Sequence, residues 1–448
     1  MAISAITSQV VSTMLEQVRP KLATYLVKSE SKFSKLFQKG AEKHRVSAWT
    51  AGSGAVLAWR IPVMLSVGGD YQVISLDGGD LGTGSMMNTA YMTIGAFETD
   101  VAFQVPARAA FATKTQQQAI ANTLQMSIGS AIKETALYNE IALFGDGTGV
   151  LATATAVTGN GNAGTDVVYT LETSAFTFIR LRGKGQLVDI TDSGNVIRHV
   201  GARIKSINFA ANTVTVTAGS VNYTPSATDQ IVFPGMGPIT STTIASGSFR
   251  YGLYTFNTTN TTGSLLGLAY SNAYELACPT VNGQGGFFTP SLIFAGKSQL
   301  IQRRDDEAYA GILGACHMAQ RTSWYLEGIT IANQHIRPGE SAKNIDLAGQ
   351  GTAYGDTFEA GDVIHHVSRY ANKSRVDWFA PKNFGYVELD EINFMQTPEG
   401  QRIFIGHSST TGNPQAGYQF YIINTRNVYS VDPGCSVVYS NLIVPTGQ

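Results

Sequence analysis

The side chains of this sequence that are able to do chemistry are scattered, and none falls in a spacing that builds a reaction centre. The run Gly145-Asp146-Gly147-Thr148-Gly149 has the glycine content of a phosphate loop. It lacks the Lys-Ser/Thr pair that reaches phosphate and magnesium, and it follows a predicted helix where a phosphate loop precedes one. Gly159-Asn160-Gly161-Asn162-Ala163-Gly164 fits the glycine spacing of a dinucleotide fingerprint. A strand-like run follows it where that fingerprint opens a helix, so it reads as a loop. His365 and His366 are adjacent, and a strand sends neighbours to opposite faces, which makes them a poor pair of metal ligands. Asp305-Asp306-Glu307 follow Arg303-Arg304 on a predicted helix and read as a solvated, ion-paired face. Cys278, Cys316 and Cys435 are odd in number and far apart, with neither a zinc spacing nor a disulfide framework, which suits a reducing compartment. Asn257-Thr258-Thr259 and Asn260-Thr261-Thr262 match glycosylation sequons, but no secretory signal accompanies them. GxSxG and HExxH are absent from the sequence. No acid, base and nucleophile come together, so neither an enzyme nor a cofactor or metal site is expected.

The totals point elsewhere. The 448 residues leave room for two or three domains and a large core. The net charge of −1 gives no global field that would steer the chain to nucleic acid or membrane. Charged residues are 14%, against about 25% in a typical soluble domain, with Thr, Ser, Asn and Gly in their place. A surface so poor in charge suits coverage by partners, because the centres of obligate interfaces are depleted of charge. No apolar run reaches the roughly 18 residues needed to span a membrane.

The element that dominates the pattern is a long helix over 113–145. Ile120, Leu124, Ile128 and Ile132 recur every fourth residue and form one apolar row, which Leu137, Ile141 and Phe144 continue. Thr113 and Gln116 have the spacing of a capping box, and Gly145 is placed to close the last turn in the left-handed conformation. Before it, residues 4–18 and 20–39 read as amphipathic helices separated by Pro20. The second carries an apolar stripe (Leu22, Leu26, Phe33, Phe37) beside Lys28, Lys32, Lys35 and Lys39. Residues 1–50 hold eight Lys or Arg and three Asp or Glu. That lysine stripe is either a solvated face or a contact to a polyanion or an acidic neighbour. Residues 49–105 read as a long two-stranded excursion, with strands around 56–61 and 97–105 and a glycine-rich tip. After the long helix, residues 155–265 are rich in Thr, Gly, Ser and Asn. Five short strands at 176–181, 186–191, 202–209, 213–218 and 230–233 suggest an inserted small barrel. Residues 300–318 read as helix, and 386–394, 402–405, 419–424 and 437–444 as strands around a loop marked by Pro414 and Gly417.

In this order the parts resemble the major capsid proteins of tailed bacteriophages, the Hong Kong 97-type fold. The resemblance runs over most of the chain and rests on four features. They are the arm, the extended loop before a spine helix, the ending Leu143-Phe144-Gly145-Asp146-Gly147-Thr148-Gly149, and the late segment Trp378-Phe379-Ala380-Pro381 followed by strands. It implies an α+β fold divided into an N-terminal arm (1–48), an extended loop (49–105) and a peripheral domain with the spine helix (106–174). An inserted small β-barrel (175–237), an axial domain (238–383) and C-terminal strands returning to the peripheral domain (384–448) complete it. It implies self-assembly into hexamers and pentamers of an icosahedral shell around double-stranded DNA, bound without sequence preference, with portal and scaffolding proteins as partners. The product would be a virion capsid assembled in the host cytoplasm. Trp49, Trp59, Ile61, Met86, Met87 and Tyr91 of the loop are then expected to lose water against a neighbouring subunit. The lysine stripe is expected on the inner face, near phosphate. Some members of the family cross-link through a loop lysine. None occurs between Lys43 and Lys114, so no such bond is expected from this loop. With about a hundred residues before the spine, an uncleaved chain and a separate scaffolding protein are expected. The alternatives are a cellular nanocompartment shell of the same fold, or another β-rich phage structural protein of tail or decoration type.

Overall fold

The computed structural model describes residues 18, 21–22, 32–40, 42–45, 47–51, 54–66, 86–106, 116–172, 180–181, 183–219, 222–235, 249–258, 264–270, 276–303, 311–335, 357–360, 362–389, 392–396, 404–407 and 414–445. In chain order, helix α1 (Lys32–Gly40) leads into strand β1 (Glu42–Arg45). A ribbon follows, made of β2 (Ser47–Ala51), β3 (Gly54–Ser66) and β4 (Asn88–Gly95). Strand β5 (Glu98–Pro106) precedes the long helix α2 (Gln116–Leu143). Then come β6 (Val150–Thr158), β7 (Asp166–Leu171), β8 (Leu187–Thr191), β9 (Ile197–Asn208), β10 (Thr213–Thr217) and β11 (Gln230–Val232). A hairpin of β12 (Ser264–Leu265) and β13 (Leu268–Ala269) precedes β14 (Thr280–Asn282) and helix α3 (Pro290–Arg303). Strand β15 (Leu313–Cys316), helix α4 (Met318–His335), β16 (Thr357–Ala360), β17 (Val363–Val367) and β18 (Val376–Phe379) follow. The chain closes with β19 (Phe384–Glu388), β20 (Asn393–Phe394), β21 (Phe404–His407), β22 (Pro414–Ser430) and β23 (Val437–Ser440).

The 28 residues of α2 make a rod of about 42 Å at about 1.5 Å per residue. It lies along a six-stranded sheet built on β22, which pairs with β5, β19, β20 and β21, while β1 adds to the edge of β19 in parallel. Leu124, Ile128 and Ile132 are buried there with Leu22, Phe394, Phe420 and Ile422. Ile141 and Phe144, further along, enter the main core. The Thr113 proposed as a cap lies outside the described residues. At the other end the expectation for Gly145 needs correcting. The left-handed residues are Gly147 (φ 87) and Gly149 (φ 73). Gly145 serves close approach instead: a Cβ there would stand 2.9 Å from the carbonyl oxygen of Ala142, to which its own N–H donates.

Five further expectations are corrected. The excursion has three strands, β2-β3-β4, and its expected second strand leaves it: Glu98–Pro106 pairs along its whole length with β22. Residues 42–45 of the expected arm are a strand of the same sheet. The barrel is closed from six strands in the order β10-β7-β6-β11-β8-β9 and begins at Val150. The stretch before residue 175, left out of the expected barrel, supplies β6 and β7, whose Leu151, Ala154, Val167, Tyr169 and Leu171 point inward. Of 176–181, Arg180 and Leu181 are in a turn, and the rest lies outside the described residues. The expected helix over 300–318 is not continuous: α3 stops at Arg303 and Leu313–Cys316 is a central strand. That strand belongs to a second six-stranded sheet, β14-β23-β18-β15-β17-β16. Here Val437–Ser440 pairs with β14 and β18, so the last strand joins residues 280–379 and not the β22 sheet. Its Val437 and Tyr439 fill the apolar layer under Ile293 and Leu300 of α3, which selects that partner.

Candidate assembly surface

The ribbon's two faces follow from its register. Trp59 pairs with Ile94, and Ile61 with Met92, so these four share one face. Ile61, Val63, Met92 and Ile94 are buried in the main core, which also takes Leu265 and Leu268 from the β12–β13 hairpin. The opposite face presents Arg60, Pro62 and Tyr91 to solvent, with the Arg60 guanidinium 5.8 Å from the Tyr91 ring centroid. At the distal end Met86 is 92% exposed and Met87 58%; Tyr91 is 56% exposed. Ile61 is therefore a correction to the expected contact set: it lies on the inner face and has already lost its water inside its own chain. Trp59 is half-buried against the same core. Trp49 lies in β2, and its side chain is outside the described residues.

The ribbon's root is fixed by polar contacts that sequence reasoning missed. Asn427 of β22 donates from Nδ2 to Gly95 O at 3.0 Å, and its Oδ1 accepts from Tyr251 N at 2.8 Å. Tyr251 in turn bridges to Asp146 of the turn that ends α2. Ribbon, long sheet and spine end thus meet at one asparagine. Arg180, almost wholly buried, donates to Phe144 O and Tyr370 O, which ties the spine end to the second sheet's loops. Burial lowers the pKa of this guanidinium to about 10, so it stays charged at neutral pH.

The lysine stripe is only partly described. Phe33 and Phe37 of α1 are buried among Phe144, Phe379, Phe384 and Tyr386, and Lys35 is exposed on the other side of the helix. Lys32 and Lys39 lie in α1 with side chains outside the described residues, and Lys28 is outside altogether. On the spine, the side chain of Ile120 is likewise outside, while Met126 is 77% exposed on the face turned away from Leu124 and Ile128. A lone methionine off the apolar row was the signal for it.

The groups able to titrate are used structurally. His365 is fully buried; Trp378 donates its indole N–H to His365 Nε2 at 2.8 Å, and His365 Nδ1 lies 2.9 Å from Val363 O. The imidazole is neutral with its proton on Nδ1, and burial pushes its pKa down to about 3. His366 points to the other side of the strand, against Phe33. In the barrel, Tyr169 OH donates to Asp229 Oδ2 at 3.1 Å and Arg198 Nε lies 3.0 Å from Asp229 Oδ1. Burial pushes the Asp229 carboxyl up despite these partners. Asn257 of the first sequon is fully buried and donates to Asp377, so it is closed to a glycan. The acidic run 305–307 and the second sequon lie outside the described residues. Among the described residues no group of three or more His, Cys, Asp or Glu is placed to hold a metal ion.

No family model matches the sequence, and no curated protein does. Among solved structures, the chain is similar to the cyanophage A-1(L) capsid asymmetric unit, at 8% identity over 92% of this chain and 93% of that one, with a TM-score of 0.48. It is similar to the capsid of a native GTA particle, at 10% identity over 90% and 88%, with a TM-score of 0.41. A third likeness is to the holo-SrpI encapsulin complex from Synechococcus elongatus, at 7% identity over 93% and 90%, with a TM-score of 0.40.

Proposed function

We propose that this chain is a major capsid protein of a tailed bacteriophage, which builds an icosahedral shell of hexamers and pentamers around double-stranded DNA. One observation carries the reading: a body organised on a 28-residue helix carries a three-stranded ribbon that leaves Met86 and Met87 at its distal end, and Tyr91 on its outer face, in solvent. Large apolar side chains held out on a ribbon are surface waiting for a partner, and each is worth about 1.5–3 kcal/mol when fully buried. In this reading α2 with the β22 sheet is the peripheral domain and the β14–β18/β23 sheet the axial domain. Lys35 and the rest of the lysine stripe face phosphate without reading sequence. Portal and scaffolding proteins are the further partners, and the product is a virion component assembled in the host cytoplasm. No helix among the described residues is long and apolar enough to cross a membrane, and the reading needs none.

Negative-stain microscopy of the expressed full chain, combined with nuclease treatment of the particles, tests this. Polyhedral shells that protect DNA in the phage context support it. Tubes or monomers overturn it in favour of a tail or decoration component. Shells filled with protein and no nucleic acid would assign the chain to a nanocompartment.

A further inference from the structure

The β12–β13 hairpin turns on two residues, Leu266 and Gly267, between the pairs Leu265–Leu268 and Ser264–Ala269. Both central residues have positive φ, 50° and 89°, as the mirror-image turn of a two-residue hairpin requires. Asparagine and glycine suit that conformation; a leucine in it is strained. The leucine is nonetheless placed to act on the ribbon. Its carbonyl oxygen accepts from the Thr93 N–H at 3.1 Å, on the edge of β4 away from β3. Its half-buried side chain packs against the core cluster that contains Ile61, Val63, Met92 and Ile94 of the ribbon. Two residues on, Gly95 is held by Asn427. The ribbon is thus pinned at its root by β22 and again, one step further out, by the tip of this hairpin.

We infer that Leu266 is a latch that sets the angle at which the ribbon leaves the body. Its apolar side chain seats the hairpin against the core that the ribbon's buried face also enters, and this seating delivers the carbonyl to Thr93 at the expense of a strained turn. Releasing the latch frees β4 outward from Gly95 and lets the turn relax. A ribbon fixed in this way meets its partner at one pitch, and a released one samples several. That consequence rests on the assembly role proposed above, whereas the latch itself does not.

Hydrogen exchange on the full chain in its unassembled form tests the latch without reference to shells. Leu266→Asn and Leu266→Gly both favour the left-handed turn, and both remove the apolar grip. The latch predicts that amides of residues 88–94 exchange about tenfold faster in both variants, the effect of losing one hydrogen bond's worth of protection, while barrel amides are unchanged. Leu266→Met keeps the grip and should keep the protection. Unchanged or slower exchange at Thr93 in the Asn and Gly variants overturns the latch, because turn chemistry alone then governs the hairpin. Faster exchange in Leu266→Met equal to that in Leu266→Asn overturns it as well.

Discussion

Trp378 donates its indole N–H to His365 Nε2 at 2.8 Å, and this bond requires the imidazole to be neutral. Protonating Nε2 would set two donors against each other in the interior of the second sheet. His365, with a pKa pushed down to about 3, and His317, pushed down to about 4, both by burial, take up protons more readily in the unfolded chain, where histidine titrates near 6.5. Their contribution to stability is therefore complete above about pH 6.5 and lost progressively as the pH falls toward 3. Asp377 and Asp229, whose carboxyls burial pushes up, bind protons more readily in the fold and oppose that loss at its acidic end. The urea midpoint of the unassembled chain should fall between pH 7 and pH 5, by an amount corresponding to a few kcal/mol. His365→Gln should flatten the slope, and an unchanged slope would remove His365 from its cause.

Gly252 admits no side chain. A Cβ there would stand 2.2 Å from Ala142 O and 2.7 Å from Gly145 O, both backbone atoms at the end of α2. Gly252→Ala should cost about 2–3 kcal/mol, the upper range for overpacking, and appear as a lowered melting temperature in the soluble chain. Gly164→Ala provides the contrast. Its Cβ would meet nothing within 4 Å, so its cost is confined to the positive φ of 73°.

Ile128 is 4% exposed in the layer between α2 and the β22 sheet. Ile128→Asp buries an unpaired charge and should abolish soluble subunit, while Ile128→Val should cost only about 0.5–1.5 kcal/mol. Expression and thermal melts of the two variants check this. A soluble, normally melting aspartate variant would contradict the packing.

The exposed ribbon side chains should behave in the opposite way. Met86→Ser, Met87→Ser and Tyr91→Ser should leave the melting temperature of the unassembled chain nearly unchanged, since each is a surface substitution. Each should raise the concentration needed for assembly by about tenfold or more, if it is buried between subunits. Light scattering against concentration measures this. Wild-type assembly by the triple variant would exclude this face as the contact.

Changing Lys28, Lys32, Lys35 and Lys39 together to Gln should leave shells intact and flatten the salt dependence of DNA retention, because fewer counterions are released. Normal filling with an unaltered salt slope would place the stripe away from DNA.

What was legible in the sequence was what local periodicity carries. Leu124, Ile128 and Ile132 repeat at a helical interval, and their burial follows from that spacing. The pairing of β5 with β22 joins Glu98 to Thr425 and Pro106 to Gly417, and no local pattern announces a partner that far away. Without that pairing, 98–106 looked like the return strand of the hairpin. The run Val167–Leu171 is strand-like on its face, but its membership in the barrel rests on pairing with β10 and β6, which no local pattern states. Met86, Met87 and Tyr91 were recognisable as apolar residues in a polar, glycine-rich stretch. That Ile61 turns inward and Tyr91 outward needed the register of β3 on β4, which the sequence does not state.

The pairing of β5 with β22 also bears on when the subunit becomes able to fold. The first strand is made 311 residues before the start of its partner segment at Gly417, counted from Pro106 at 106 to 417. At about 5–20 residues per second, a ribosome needs roughly 15–60 s to supply the second strand. Throughout that interval the apolar row of α2 has no sheet to lie on. The helix therefore has to wait for its platform until β22 has been made. Arrival of β22 thus acts as a checkpoint: only a chain made through Ser430 closes this sheet, and chains that stop earlier are left with an open platform.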